Sequence, residues 1–292
     1  MTCNLCPRGC NVDREVATGF CGAGNTLKVA RAALHHWEEP CLSGKRGSGT
    51  VFFSHCNLGC VYCQNYHISH RGFGAEISPN RLREIYFELI DKGAHNINLV
   101  TPTHYLPLIL PTLGDLPVPV VMNCGGYESV ETIRSLEEKV QIFLPDFKYA
   151  IGEVAERYSF APDYPERALE AIQTMIDMVG PPVFDGEGML QSGVIVRHMV
   201  LPNETKNSLR VIDALETLPK GKFLFSLMSQ YTPCGKAAEY PRIARPLRES
   251  EYNRVLRRLE ASDLLSNGYS QAMESADQGY IPPFDLEGVL EK

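Results

Sequence analysis

The sequence predicts an α/β fold: a partial (β/α)6 TIM-like barrel preceded by a small N-terminal cysteine-rich metal module. Two observations lead there. Beyond about residue 48, short apolar runs alternate with amphipathic stretches through six units. Eight of the ten cysteines fall within the first 63 residues, ahead of and inside the first unit. The length of 292 residues suits such a barrel as one unit. The expected divisions are a metal-binding module over 1–47, the barrel core over 48–265 and an extended tail over 266–292.

Thr50 to Ser54 (TVFFS) reads as the first strand, ending at a cysteine-rich loop. Ser78-Pro79 supplies an N-cap and a first-turn proline, and Leu82, Ile85, Tyr86, Leu89 and Ile90 follow at helical spacing. Asn96 to Thr101 is the second strand and Val118 to Asn123 the third. Ser129 caps a helix that buries Val130, Ile133, Leu136 and Val140, and Gln141 to Asp146 is the fourth strand. A longer helix after Pro165 turns Leu169, Ile172, Met175, Ile176 and Val179 inward. Val194 to Leu201 is the fifth strand, Lys222 to Met228 the sixth, and Glu251 to Leu265 the last helix. In a parallel arrangement the functional groups gather at the C-terminal strand ends.

Composition excludes several classes. Hydrophobic residues at 44% and charged residues at 22% are globular values, which excludes disorder. A net charge of −7 argues against sequence-blind nucleic-acid binding, which needs cationic surface. The longest stretch without Asp, Glu, Lys or Arg, Gly93 to Gly114, is broken by Pro102, Pro107 and Pro111, so no membrane span is expected. The N-terminus lacks the basic and apolar regions of a signal peptide, and a cytoplasmic location is expected. In a reducing compartment clustered cysteines point to metal binding or catalysis.

Cys56, Cys60 and Cys63 form a C-x3-C-x2-C loop directly after the first strand. Three thiolates on a short loop can take three corners of a cubane iron–sulfur cluster and leave one iron open. Zinc loops pair C-x2-C units and ferredoxin loops use C-x2-C-x2-C, so neither suits this spacing.

With Tyr62 before the last cysteine, the loop resembles the signature of the radical S-adenosylmethionine superfamily. The chain is most similar to the branch of pyruvate formate-lyase-activating enzymes and their uncharacterised relatives, over roughly residues 48 to 230. Asp146-Phe-Lys148 after strand four, Asn123-Cys-Gly-Gly-Tyr127-Glu after strand three, and Val196-Arg197-His198 with Leu201-Pro202 on strand five carry that likeness. The resemblance implies a [4Fe-4S] cluster on Cys56, Cys60 and Cys63, with S-adenosylmethionine chelated to its open iron and cleaved reductively to a 5′-deoxyadenosyl radical. It places Tyr62 against the adenine, and Asn123, Asp146, Lys148 and Arg197 around the ribose and methionine. His198 and Gln230 are further candidate cofactor or substrate contacts. The branch has a Gly-Gly-Glu turn after strand two, where this chain has Thr101-Pro-Thr103-His-Tyr105. The Thr101 and Thr103 hydroxyls, or carbonyls beside Pro102, are candidate replacements for that acceptor of the cofactor's amino group. The resemblance also implies a protein or peptide substrate and a flavodoxin- or ferredoxin-type electron donor.

Cys3, Cys6, Cys10 and Cys21 are four thiols in nineteen positions, enough to close a zinc site or to ligate a second cluster. The spacing leaves zinc and iron–sulfur both open. Cys41, Cys124 and Cys234 read as small buried or loop residues, with Cys124 placed at the barrel mouth. His35-His-Trp37-Glu38-Glu39 reads as packing at the module junction, and the arginines from Arg242 to Arg258 as a solvated face interleaved with glutamates. The tail, with Tyr280-Ile-Pro-Pro-Phe284-Asp, is expected to pack across the barrel's open edge.

Three functions are compatible with these residues. One is radical activation of a protein, glycyl-radical formation being the example the resemblance suggests. The second is radical modification of a peptide or small molecule. The third is an iron–sulfur electron-transfer or metal-binding protein that cleaves no cofactor.

Overall fold

The computed structural model describes residues 3–273 and 282–291. Its elements in chain order are β1 (Leu27–His35), α1 (Pro40–Ser43), β2 (Ser48–Phe53), α2 (Tyr66–Ser69), β3 (Ala75–Ile77) and α3 (Pro79–Asp91). Then come β4 (Ile97–Val100), α4 (Leu106–Ile109), β5 (Val120–Cys124), α5 (Val130–Arg134), β6 (Ile142–Pro145), α6 (Gly152–Ser159) and α7 (Tyr164–Val179). The last are β7 (Val183–Phe184), β8 (Leu190–Met199), α8 (Thr205–Leu215), β9 (Leu224–Met228), α9 (Glu249–Glu260) and β10 (Tyr269–Ser270).

The six expected strands are β2, β4, β5, β6, β8 and β9, side by side and parallel. The sheet runs β10-β9-β8-β6-β5-β4-β2-β1-β3, so β10 and β3 are separate ends and the barrel stays open. β8 begins four positions before the expected Val194 because it also pairs antiparallel with β7. β1 was not expected as a strand: it lies within the stretch assigned to the N-terminal module, yet pairs antiparallel with β2 over six residue pairs. His35 therefore ends a strand of the sheet.

Period-2 alternation sorts the strand residues into two layers. Phe53, Leu99, Met122, Phe143, Val194, Val196, Phe225 and Leu227 join the main core, which also holds the buried faces of α3, α7, α8 and α9. Val121, Ile142, Leu144, Ile195 and Leu224 form a second cluster inside the barrel, against Cys41 and Leu42 of α1. That one-turn helix plugs the floor of the barrel.

Local signals explain the helix boundaries. Ser78 Oγ accepts from the Arg81 N–H at 3.1 Å, and Ser129 Oγ accepts from Thr132 N–H at 3.3 Å, as the N-cap reading requires. The Ser129 helix is shorter than expected, ending at Arg134, although Leu136 and Val140 stay buried. The final helix stops at Glu260. Ser262 Oγ accepts from Leu264 N–H and starts a separate 3-10 turn over Asp263–Asn267.

The tail divides between the two edges of the sheet. β10 extends β9, whereas Leu286 N–H and Ala32 N–H bond the carbonyls of Ala30 and Glu287 beside β1. Tyr280 and Ile281 lie outside the described residues. The arginine stretch is laced with ion pairs: Arg242 to Glu204, Arg245 to Glu251, and Arg258 to Asp213 and Glu216.

Candidate active site

β2 delivers the chain to the cysteine loop through His55 and Gly59, both in the left-handed region at φ 74° and 71°. Cys56, Cys60 and Cys63 all line a cavity of about 400 Å³ at the C-terminal strand ends. Each sulfur has a donor. Leu58 N–H reaches Cys56 Sγ at 3.4 Å, Ser159 Oγ reaches Cys60 Sγ at 3.1 Å, and Ser69 Oγ reaches Cys63 Sγ at 3.3 Å. Burial, then neighbouring sulfur, pushes the Cys56 thiol up to about 11 and the Cys63 thiol up to about 12. Thiols held up in this way, as Cys56 and Cys63 are, ionise readily only where a metal cation replaces the proton. A cluster that binds them as thiolates, with hydrogen-bond donors already aimed at sulfur, fits this chemistry.

The opposite wall is polar. Asp146, at the end of β6, pairs with Lys148 through Oδ2 and accepts from Arg197 Nε at 3.1 Å through Oδ1. Arg197 Nη2 donates to Asn123 Oδ1 at 2.6 Å, and its Nη1 reaches Glu38 Oε2 at 3.2 Å. Glu38 Oε1 also accepts from Asn98 at 3.0 Å and Asn123 at 3.3 Å. Burial works to raise Asp146, but the Lys148 and Arg197 cations outweigh it and hold the carboxyl below its ordinary range. Burial pushes Glu38 and Glu39 upward instead. Glu39 lines the same cavity and leaves Oε2 buried without a partner.

Asn123, Asp146, Lys148, Arg197, Thr101, Tyr62 and Gln230 therefore all line the cysteine cavity. Tyr62 is 3% exposed, and its hydroxyl is engaged with Tyr149 at 2.7 Å. Gln230 Oε1 accepts from Gln271 at 3.1 Å. Thr101 sits at φ 57°, unusual for a β-branched residue. Thr103 and His198 are not brought to the cavity. Thr103 is buried and donates to Glu128 Oε1 at 2.9 Å. His198 follows the inward-facing Arg197 on β8, so alternation turns it outward. There its ring nitrogens bond the Phe147 carbonyl and Ser208 Oγ, each at 2.8 Å. It does not line the cavity, contrary to the expectation that it contacts cofactor or substrate.

Glu38 and Glu39 are the members that sequence reasoning missed. A pair of glutamates between a strand and a prolyl turn carries no motif. Only the plug formed by α1 brings them under Arg197.

In the N-terminal segment, a Cβ built on Gly19 would lie 3.3 Å from Cys10 Sγ and 3.7 Å from Cys21 Sγ. Arg14 Nη2 donates to Cys21 Sγ at 3.4 Å, and Cys3 and Cys21 add to the burial that pushes the Cys6 thiol up to about 12. The four thiols share one neighbourhood. Among the described residues, however, no set of three or more Cys, His, Asp or Glu side chains stands close enough to hold a metal ion. No described helix is long and apolar enough to cross a membrane.

No family model matches the chain. "Uncharacterized protein MJ0674" of Methanocaldococcus jannaschii is 32% identical over 273 residues, which are 90% of this chain and 75% of that protein. Streptococcus suis SuiB, solved bound to S-adenosylmethionine and bound to its precursor peptide SuiA, shares the fold at TM-scores of 0.54 and 0.53. Those matches have 12% identity and cover 74% of this chain, which spans about half the length of SuiB (48% and 46%). The chain shares its fold with SuiB, and it belongs to the family of the Methanocaldococcus protein.

Proposed function

We propose that the protein is a radical S-adenosylmethionine enzyme that abstracts hydrogen from a protein or peptide substrate. The observation that carries this reading is the shared cavity: the three cysteines of the β2 loop open onto the same space as Asn123, Asp146, Lys148 and Arg197. When bound, a [4Fe-4S] cluster and S-adenosylmethionine would supply the electron and the 5′-deoxyadenosyl radical there. Cys56, Cys60 and Cys63 would hold the cluster.

The chain's own groups bind and orient. Asp146 stays ionised beside Lys148 and Arg197 and would accept the cofactor's hydroxyl donors, while Lys148 would stand ready for its anionic carboxylate. Asn123 is held by Arg197 and Glu38, which orients the amide. Tyr62, Leu58 and Phe52 provide apolar wall and exclude water. The open barrel supports a polypeptide substrate, as does the peptide-bound state of SuiB. Glycyl-radical activation is the specific form carried over from the resemblance, with a flavodoxin- or ferredoxin-type donor. Cys3, Cys6, Cys10 and Cys21 would hold a second centre, zinc or iron–sulfur, on the strength of their number and shared neighbourhood.

The test is anaerobic reconstitution, dithionite reduction with S-adenosylmethionine, and a count of 5′-deoxyadenosine per protein. Turnover that disappears in Cys60→Ala is expected. A reducible cluster with no cleavage, even with candidate protein substrates present, would favour an electron-transfer protein.

A further inference from the structure

Arg8 joins the N-terminal cysteine segment to the loop that carries Cys56, Cys60 and Cys63. It stands in the tight turn between Cys6 and Cys10, closed by Gly9 N–H to the Cys6 carbonyl at 3.1 Å. Its Nε donates to the Asn57 carbonyl at 3.0 Å, and its Nη2 to the Leu58 carbonyl at 2.9 Å and the Ser159 carbonyl at 2.7 Å. Nη1 donates to the Phe160 carbonyl. The rings of Phe20 and Tyr127 lie 3.8 and 5.2 Å from the guanidinium carbon.

The positions of these acceptors matter. Asn57 and Leu58 occupy the gap between Cys56 and Cys60, and both are 1% exposed. Ser159 ends α6 and donates its hydroxyl to Cys60 Sγ at 3.1 Å. Four carbonyl dipoles, two from the loop and two from the end of a helix, point their negative ends at one place. A planar cation with five donors satisfies them together, which a lysine ammonium cannot do in the same geometry. Gly59 packs on the same assembly, because a Cβ there would lie 3.3 Å from the Phe20 ring.

We propose that Arg8 is a positioning residue for the catalytic cluster. It clamps the backbone between the first two ligands and places a positive charge against the Cys60 side of the loop. The N-terminal segment is thereby part of the active site's framework, whichever metal its own thiols take. The charge favours the reduced cluster, since an added electron is stabilised by a nearby cation. This tuning rests on the proposed cluster at Cys56, Cys60 and Cys63. The clamp itself does not.

The experiment compares Arg8→Gln and Arg8→Lys with wild type in two measurements. In protein without cluster, hydrogen exchange is followed at the Val61 amide, which donates to the Tyr158 carbonyl at 2.9 Å. Both variants lose the fork and are expected to exchange about tenfold faster or more, one charge-assisted hydrogen bond being worth at least that factor. In reconstituted protein the cluster's reduction potential should fall in Arg8→Gln and stay near wild type in Arg8→Lys. Unchanged exchange at Val61 in both variants overturns the clamp. Faster exchange with an unchanged potential in Arg8→Gln overturns the tuning role. If Arg8→Gln does not fold, Arg8→Lys carries the exchange comparison, and Arg8→Met, which keeps an apolar stem against Phe20 and removes the charge, replaces it in the potential measurement with a fall expected. Failure of wild type to take up a cluster overturns the proposed function and leaves the exchange result standing.

Discussion

Arg197 on β8 reaches Glu38, 159 positions earlier in the chain, across the inside of the barrel: Nη1 lies 3.2 Å from Oε2. The side chains are 14% and 9% exposed. Glu38 belongs to the loop leading into the floor plug, and Arg197 to the wall facing the cysteine loop. This pair ties floor to wall and leaves Arg197 with no free edge, because Asp146 and Asn123 take its other nitrogens. Arg197 therefore orients its neighbours and sets their charge.

Removal of that cation should be costly. Arg197→Met leaves Glu38 and Asp146 buried with too little positive charge, and a broken buried pair costs about 3–5 kcal/mol. Glu38→Gln keeps the amide contacts and should cost less than half as much. Denaturant unfolding of the two variants checks this. Equal losses would show that Arg197 does not organise the network.

Iron content separates the two cysteine groups. Cys60→Ala is expected to lose the iron and sulfide of the proposed barrel-mouth cluster and to keep any metal that the proposed N-terminal centre binds. Metal and acid-labile sulfide analysis per protein checks it, and unchanged iron in the variant would contradict the ligand assignment.

Acid should destabilise the protein partly through His198. Burial holds this imidazole down to about 4, against an ordinary value near 6.5. The unfolded chain thus takes up a proton at a higher pH than the folded one. Stability contributed by neutral His198 is complete above about 6.5 and is lost as pH falls toward 4. His198→Asn should flatten the slope of unfolding free energy against pH in that window. An unchanged slope would mean that the ring is protonated in the fold.

Glu251 works over a lower window. Arg245, with the Asn203 and Arg248 amides, holds its carboxyl down to about 2 from 4.5, against burial that works the other way. Its contribution is present above about 4.5 and disappears as pH falls toward 2. Glu251→Gln should lower the melting temperature at pH 7 and make little difference near pH 2. A constant difference across that range would place the effect in packing rather than charge.

Thr101 and Thr103 should part company. Thr101 lines the cavity, so Thr101→Ala is expected to weaken S-adenosylmethionine binding severalfold in reconstituted protein. Thr103→Ala removes the hydroxyl from buried Glu128 and should instead cost about 1–3 kcal/mol of stability. Equilibrium binding and chemical unfolding of both variants distinguish the outcomes.

Much of the fold was legible because it rests on local rules. Apolar runs of strand length, the Ser78 and Ser129 caps and the Pro165 helix start are written in neighbouring residues. The three cysteines after the first strand were legible as a site for the same reason: their spacing fits them to one loop. Asp146, Lys148, Asn123 and Arg197 could be singled out because they match motifs of the resembling family, and parallel β/α units bring strand ends to one face. What the chain's own order leaves undetermined is which inward position meets which. His198 and Arg197 are adjacent residues with opposite fates, set by a period of two and by the layer each meets. Glu38, Glu39 and Arg8 carry no local signal at all. Their roles arise when a floor plug and an N-terminal turn are pressed against the barrel, because a buried charge is tolerated only where distant partners converge on it, and only tertiary packing brings those partners together.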